Sequence, residues 1–449
     1  MRWTDALVRE ALRLPSVLTP TAYSQVSTDT RTIGPGALFV ALKGDRFDGH
    51  DHLVAARDAG ATGAVVRSGT PAIEGLLLYP VDDTLEGYGR LAQLRRRMIT
   101  GPVVAIGGAN GKTSTKEMCR AVLATRYRVH ATPGNDNNLV GIPKTILAAP
   151  EDTEALVIEA GASVRGELAR ARTIIAPSVV ITTNVVLSHL DGFGSLDGVL
   201  EEELDLLDDT PLAIVGTEPA ALGERARSRA QVVITAGLAR ADRVPQSVSM
   251  DSTGRATLAV DDLRITLPLL GQHQASNAML AWTLTRELGL DPVAAAEALR
   301  NLRIPGGRGE LIESGGLTII NDAYNANPSS FLAAISTARS MRGSRRLVFV
   351  AGTMRELGEE AARHHAAVAA ALVGLEPDLL AAVGEFVPAL APYAERLKGR
   401  LLTAPDAPTM GPLLKERLHG DELIVLKASR GAALERILPH LTGQDHSTH

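Results

Sequence analysis

A single cysteine, Cys119, occurs in 449 residues, so an internal disulfide is excluded. The opening Met1-Arg2-Trp3-Thr4-Asp5 runs into an amphipathic stretch with an early acid, unlike a secretory signal. Both features point to a reducing cytoplasm. No uninterrupted apolar run reaches the roughly 18 residues that cross a bilayer, and the stretch 173–187 is broken by Pro177, Thr182, Thr183 and Asn184. Membrane insertion is not expected. A formal charge of −5 with 22% charged residues lacks the basic excess of a nucleic-acid binder. Lysine is scarce, with seven in the chain at 43, 112, 116, 144, 398, 415 and 427. Five of these, Lys43, Lys112, Lys116, Lys144 and Lys427, fall inside candidate motifs, where a compact ammonium is not interchangeable with a guanidinium.

The most informative run is Ala105-Ile106-Gly107-Gly108-Ala109-Asn110-Gly111-Lys112-Thr113-Ser114. It reads as a buried strand breaking into a glycine turn that opens a helix. Backbone N–H groups there can close on a phosphate, the helix N-terminus adds partial positive charge, Lys112 adds a full one, and Thr113 can place its hydroxyl on Mg²⁺. The spacing is a short form of the usual P-loop, because Ile106 stands where its first glycine would fall. An ATP-using enzyme is the first expectation.

The chain is too long for one hydrophobic core, and its pattern is α/β. Short strands and turns over 26–66, with a helix near 51–59, form a small N-terminal α/β domain, and a helical linker near 85–98 leads to the phosphate loop. Continuous apolar runs at 103–106, 155–158, 179–183, 212–215 and 232–235 predict a mainly parallel sheet, buried on both faces, with a nucleotide site at its carboxyl ends. Residues 244–270 read as an antiparallel ribbon at its edge. Runs at 317–320, 347–350, 379–383 and 423–426 predict a further αβ domain. The expected boundaries are 1–84, 85–302 and 303–449, with a disordered tail over 443–449.

Glu159 ends a strand facing the phosphate loop, where a carboxylate suits Mg²⁺ or caps the next helix. His189 lies just beyond another strand end, either a structural histidine or within reach of the same metal. His364 and His365 read as inert residues on a helix surface.

Together these strings resemble the Mur ligase family along nearly the whole chain. The matches are Asp29-Thr30-Arg31, Asp48-Gly49-His50, residues 108–115, Thr132-Pro133-Gly134-Asn135 with Asn137-Asn138, Glu159-Ala160-Gly161-Ala162-Ser163, Gly271-Gln272-His273 with Asn277, Gly307-Arg308-Gly309, Asp322-Ala323-Tyr324-Asn325-Ala326-Asn327-Pro328, residues 352–358, and Lys427-Ala428-Ser429-Arg430. The resemblance implies an N-terminal domain for a uridine nucleotide, a central P-loop ATPase domain, and a C-terminal Rossmann-like domain that closes over both. It also implies ATP-dependent ligation of D-alanyl-D-alanine to a UDP-N-acetylmuramoyl-tripeptide through an acyl phosphate, with ATP and Mg²⁺, by a monomer. Alternatives are a sibling ligase adding another amino acid and a nucleotide-binding pseudo-ligase. The Tyr-Ala-His and Asp-Asn-Pro-Arg strings typical of the diamino-acid sibling are absent.

By the same resemblance, Gly108, Ala109, Asn110, Gly111, Lys112, Thr113 and Ser114 hold the ATP phosphates. Thr113 and Glu159 hold a first Mg²⁺ and His189 a second, His273 and Asn277 lie near adenine, and Arg308 and Asp322 meet phosphate and ribose. Asp29, Thr30, Arg31, Lys43, Asp48 and His50 serve the uridine nucleotide. Asn137, Asn138, Tyr324, Asn325 and Asn327 serve the other substrate groups. Two departures stand out. Where the family usually carries a lysine that CO₂ carbamylates into a metal-binding carboxylate, this chain has Glu203, and no lysine occurs from 145 to 397. Glu203 is therefore expected to supply that carboxylate directly, unless Glu201, Glu202, Glu203 and Asp205 form only a solvated acidic face. Thr353 stands where relatives commonly have aspartate.

Overall fold

A computed structural model describes residues 2–443 apart from 18, 45, 46, 188, 189 and 305, and of 190 and 191 only the backbone. The tail 444–449 and His189 therefore lie outside the described residues. Six parallel strands form the central sheet in the order Val232–Thr235, Leu212–Val215, Val179–Thr182, Val103–Gly107, Ala155–Glu159, Val129–Ala131. Alternation along Val103–Gly107 sends Val104 and Ile106 into one core and Val103 and Ala105 into another. Burial on both faces follows, with helices on each side. The chain first crosses from Val103–Gly107 to one edge of the sheet and later returns to its other side, so the carboxyl ends of these neighbouring strands open a crevice at a topological switch point. Gly108, Glu159 and Thr183-Asn184 all emerge there.

A second six-stranded sheet has the order Glu310–Ser314, Leu317–Asp322, Leu423–Lys427, Leu347–Ala351, Leu379–Val383, Leu401–Ala404, parallel except for its first strand. The N-terminal sheet is four-stranded and parallel, in the order Val26–Ser27, Ala37–Val40, Ala61–Arg67, Leu77–Val81. The helix Thr84–Arg97 is more than a linker. It buries Tyr88, Leu91 and Leu94 in the N-terminal core and Ala92 in the central one, while Arg95 and Arg96 donate to carbonyls of Ala149, Pro150, Ile175 and Ala176.

The antiparallel pairing expected over 244–270 is present, but not at the edge of the parallel sheet: Ser247–Met250, Arg255–Val260 and Leu263–Leu270 form a separate three-stranded antiparallel sheet. Its face of Leu258, Val260, Ile265 and Leu267 is buried in one core with the helix Gln272–Glu287, while Leu270 packs into the C-terminal core beside Phe331 and Met341. The pair His364 and His365 is buried, not on a helix surface. His365 rests against the Phe386 ring at 4.9 Å and bonds through both nitrogens, as described below.

The strand carrying Lys427 is anchored by Glu422. This fully buried carboxylate accepts the N–H groups of His419, Gly420 and Asp421 at 2.6–3.1 Å and pairs with Arg346 at 2.8 Å. Burial raises its pKa, but these donors outweigh burial and hold it below the usual range. A depressed carboxylate stabilises the fold above its unfolded pKa of about 4.3, and that stability is lost as pH falls through the folded value. We predict that Glu422→Gln, which turns an amide N–H₂ toward these donors, lowers unfolding free energy in urea by about 1–3 kcal/mol at pH 7. The gap to wild type should narrow below about pH 4.

Candidate functional site

The phosphate loop is shaped by two glycines in the left-handed region, Gly108 with φ 109° and Gly111 with φ 82°. A Cβ on Gly108 would lie 2.2 Å from Thr183 Oγ1, and one on Gly111 2.6 Å from Asn277 Oδ1, so both positions require glycine. Neighbouring side chains hold the loop open. Ala109 N–H donates to the Asn184 carbonyl at 2.8 Å and Asn110 N–H to Asn184 Oδ1 at 3.1 Å. Thr183 Oγ1 and Asn184 Nδ2 donate to the Asn110 carbonyl at 2.7 and 3.0 Å. Thr183 and Asn184 are functional neighbours that the sequence reading missed. Their signal was a polar Thr-Thr-Asn run closing an otherwise apolar strand.

Lys112 donates to the carbonyls of Gly108 and Ala109 at 2.5 and 3.2 Å, poised across the loop that it closes. Thr113 Oγ1 donates to Glu159 Oε2 at 2.9 Å, and Asn137 Nδ2 to Glu159 Oε1 at 2.9 Å. Glu159 is buried, and the fully buried ammonium of Lys116 stands 3.9 Å away while donating to the carbonyls of Thr132 and Gly134. A hydroxyl beside a carboxylate is a hard oxygen donor set and fits Mg²⁺. Among the described residues no group of three or more His, Cys, Asp or Glu could hold a metal ion. Phosphate oxygens, water and any further carboxylate would complete its shell, as is usual for this ion.

Glu203 is buried, and its Oε2 accepts the Gly108 N–H at 2.7 Å. The acidic run is therefore no solvated face. Glu202 accepts the N–H groups of Gly166 and Leu168, while Glu201 and Asp205 pair with Arg229 at 2.7 and 3.4 Å. Asn138 caps a turn by accepting the N–H groups of Val140 and Gly141.

Across a cleft of about 600 Å³ stand Arg308, Asp322, Tyr324, Asn325 and Lys427, while His273 and Asn277 border it from the helix Gln272–Glu287 beside the loop. Buried Lys427 donates to Asp322 Oδ2 at 2.6 Å and to the Asn325 carbonyl at 3.0 Å. The Arg308 guanidinium lies over the Tyr324 ring, 3.8 Å from its centroid. Asn277 Nδ2 donates to Gln274 Oε1. Two amides bridge the walls: Asn327 Nδ2 donates to Asn110 Oδ1 at 2.8 Å, and Asn110 Nδ2 to Asn327 Oδ1 at 3.2 Å. Asn327 also caps the helix Pro328–Met341 in a capping box with Ser330.

The loop 353–358 borders the cleft through Glu356. Thr353 Oγ1 accepts the Glu385 N–H at 3.1 Å, a task open to aspartate as well. His365 Nε2 accepts the Met354 N–H at 2.9 Å, and its Nδ1 lies 2.8 Å from the Ala361 carbonyl, which assigns the neutral Nδ1–H tautomer. Burial depresses the His365 pKa and favours that form.

The residues expected to serve a uridine nucleotide sit in the N-terminal unit and do not line this cleft. Arg31 pairs with Asp29 at 2.7 Å across the turn containing Thr30, and its side chain, then its backbone N–H, pull the Asp29 carboxyl down to about 2. Asp48 Oδ1 lies 2.6 Å from His50 Nδ1, His50 Nε2 accepts the Arg67 N–H, and Lys43 stands 3.6 Å from Asp48.

Comparison with known proteins bears on this geometry directly. Models of the Mur ligase middle domain, the Mur ligase glutamate ligase domain and the Mur ligase family catalytic domain match residues 106–285, 307–435 and 22–95. Over 425 residues the chain is 36% identical to UDP-N-acetylmuramoyl-tripeptide–D-alanyl-D-alanine ligase of Bacillus subtilis, covering 93% of this chain and 92% of the relative. The chain belongs to the Mur ligase family. MurF from Acinetobacter baumannii superimposes on this Mur ligase with a TM-score of 0.88 at 26% identity, covering 99% of each chain. MurF from Thermotoga maritima, solved with ADP, gives 0.80 at 25% identity over 97% of this chain and 98% of that one. The α/β architecture in three domains is that of the family.

The amide bridge generates a test in this Mur ligase. Asn327→Ala also removes a helix cap, whereas Asn110→Ala does not, so a double-mutant cycle on unfolding free energy cancels the cap. We predict a coupling of about 0.5–1.5 kcal/mol between the two substitutions. Additive losses would show that the pair does not join the walls in solution.

Proposed function

We propose that this chain joins the amino group of D-alanyl-D-alanine to the terminal carboxyl of a UDP-N-acetylmuramoyl-tripeptide, with cleavage of ATP to ADP and phosphate. The observation that carries this reading is the cleft itself. A phosphate loop with its Thr113 and Glu159 pair faces Arg308 and the Lys427–Asp322 pair, in a chain that follows a ligase of that name along 93% of its length.

A carboxylate is a poor electrophile, so activation must come first. A carboxylate oxygen attacks the γ-phosphorus and ADP departs, leaving an acyl phosphate. The dipeptide amine then adds to its carbonyl carbon, loses a proton, and expels phosphate as the C–O bond breaks. Residues do this work by position and charge. Lys112 exchanges its loop carbonyls for β/γ-phosphate oxygens, and the N–H groups of residues 109–114 point the phosphates into the cleft. Thr113 and Glu159 would hold Mg²⁺, which when bound would offset negative charge on the phosphates. His273 and Asn277 border the adenine side, and Asp322 the ribose. Residues 1–84, with Asp29, Thr30, Arg31, Lys43, Asp48 and His50, take the uridine nucleotide. Residues 85–302 take ATP, and 303–449, with Tyr324, Asn325 and Asn327, bring the dipeptide side. Asn137 and Asn138 flank the acceptor carboxylate. The enzyme acts as a cytoplasmic monomer on these small substrates, and no helix among the described residues is long and apolar enough to cross a membrane.

Glu203 gives this Mur ligase a fixed carboxylate in place of one made from CO₂. Two measurements test the reading. Phosphate release should require ATP, muramoyl tripeptide and D-alanyl-D-alanine together, with single amino acids failing to replace the dipeptide; release without the dipeptide would contradict it. Turnover should be the same in CO₂-free and bicarbonate-supplemented buffer, and Glu203→Ala should lose about 100-fold or more in kcat. Stimulation by bicarbonate, or near-normal turnover in the variant, would remove Glu203 from this role.

A further inference from the structure

The C-terminal wall carries a cation that the reaction as described leaves unused. Arg430 opens the turn Arg430–Ala432 directly after the strand Leu423–Lys427, and its guanidinium lies over the Tyr324 ring, 5.1 Å from the centroid. Arg308 lies over the same ring. Two guanidiniums are thus gathered on one aromatic ring, and both line the cleft.

Such a pairing repels itself unless an anion is close, and a cation–π contact at an exposed site returns only about 0.5–1 kcal/mol. No carboxylate forms an ion pair with Arg308 or Arg430 among the described residues, whereas the neighbouring Lys427 is matched by Asp322. The backbone beside Arg430 is fixed as well. Ser429 Oγ accepts the Arg355 N–H at 3.0 Å and donates to the Ala326 carbonyl at 3.3 Å, tying three loops together at this point. An exposed guanidinium with a fixed base and a ring beneath it is a preorganised anion receptor.

ATP phosphates already have receptors on the opposite wall, in the loop N–H groups and Lys112. The incoming dipeptide brings a terminal carboxylate that has no other receptor on the C-terminal wall in this reading, and a planar guanidinium matches a carboxylate with two parallel N–H···O bonds. Resting on the ligase reading above, we propose that Arg430 binds the C-terminal carboxylate of D-alanyl-D-alanine and selects for a free acid there. Tyr324 is the shared platform that keeps this contact apart from the phosphate contact of Arg308.

Steady-state ligation with D-alanyl-D-alanine and with its C-terminal amide tests this in wild type, Arg430→Gln and Arg430→Lys. Wild type should favour the acid in kcat/KM by about 10- to 100-fold, the range for a hydrogen bond to a charged group. Arg430→Gln should raise the dipeptide KM by a similar factor, leave the KM for ATP unchanged and abolish the preference for the acid. Arg430→Lys should restore part of that preference, since it returns charge without the fork. An undiminished acid preference in Arg430→Gln would overturn the proposal, as would a rise confined to the ATP KM, which would place Arg430 on the nucleotide phosphates instead. Wild type that ligates neither compound would overturn the ligase reading and this assignment with it.

Discussion

At residues 108–111 the backbone is pressed so closely against the end of the strand Val179–Thr182 and the helix Gln272–Glu287 that a side chain at Gly108 or Gly111 would collide with Thr183 or Asn277. This closeness lets Asn184, Thr183 and Glu203 reach the loop with hydrogen bonds of 2.7–3.1 Å. Each bond contributes only about 1 kcal/mol. Together they fix the direction of the N–H groups that remain, and an anion meeting fixed donors pays little reorganisation. The direction of the free N–H groups, the Thr113–Glu159 pair and the contact with the opposite wall all inherit their geometry from this loop.

Charge is distributed with the same economy. Two buried carboxylates, Glu159 and Glu203, stand beside the glycine loop, an arrangement that repels any anion there unless a cation lies between. Lys116 supplies part of that compensation from within the fold, and the oxygen donors at Thr113 and Glu159 call for a divalent ion to supply the rest. Across the cleft the balance reverses, with Arg308 and Arg430 on Tyr324. The Asn110–Asn327 bridge then joins an acid-lined wall to an arginine-lined one through neutral groups, so joining them costs no charge desolvation.

Much of this was legible in the sequence because strands buried on both faces write continuous apolar runs. Those beginning at residues 103, 155, 179, 212, 232, 317, 347, 379 and 423 all announced themselves this way. The short strands Val129–Ala131, Glu310–Ser314 and Leu401–Ala404 did not, since each is a half-buried edge strand whose sequence mixes polar with apolar residues, unlike the apolar run of the edge strand Val232–Thr235. Side-chain partners were harder still. The run Glu201-Glu202-Glu203 reads identically whether its acids face water or cap backbone N–H groups, and only the fold sends Glu202 to Gly166 and Glu203 to Gly108. His365 seemed inert because nothing local reveals that the Met354 N–H, eleven residues upstream, lies against its ring nitrogen. Arg430 stood within a recognised string, yet its relation to Tyr324 exists only in three dimensions.

The central claim is that one loop couples nucleotide cleavage to peptide-bond formation through a mixed anhydride. The direct measurement is ligation with a muramoyl tripeptide whose terminal carboxylate carries isotopically heavy oxygen, followed by mass analysis of the phosphate released. An acyl phosphate carries a peptide oxygen into the leaving group, so the account predicts one heavy oxygen in each phosphate from fully labelled substrate. Phosphate free of the label, formed while the amide product accumulates, would contradict it.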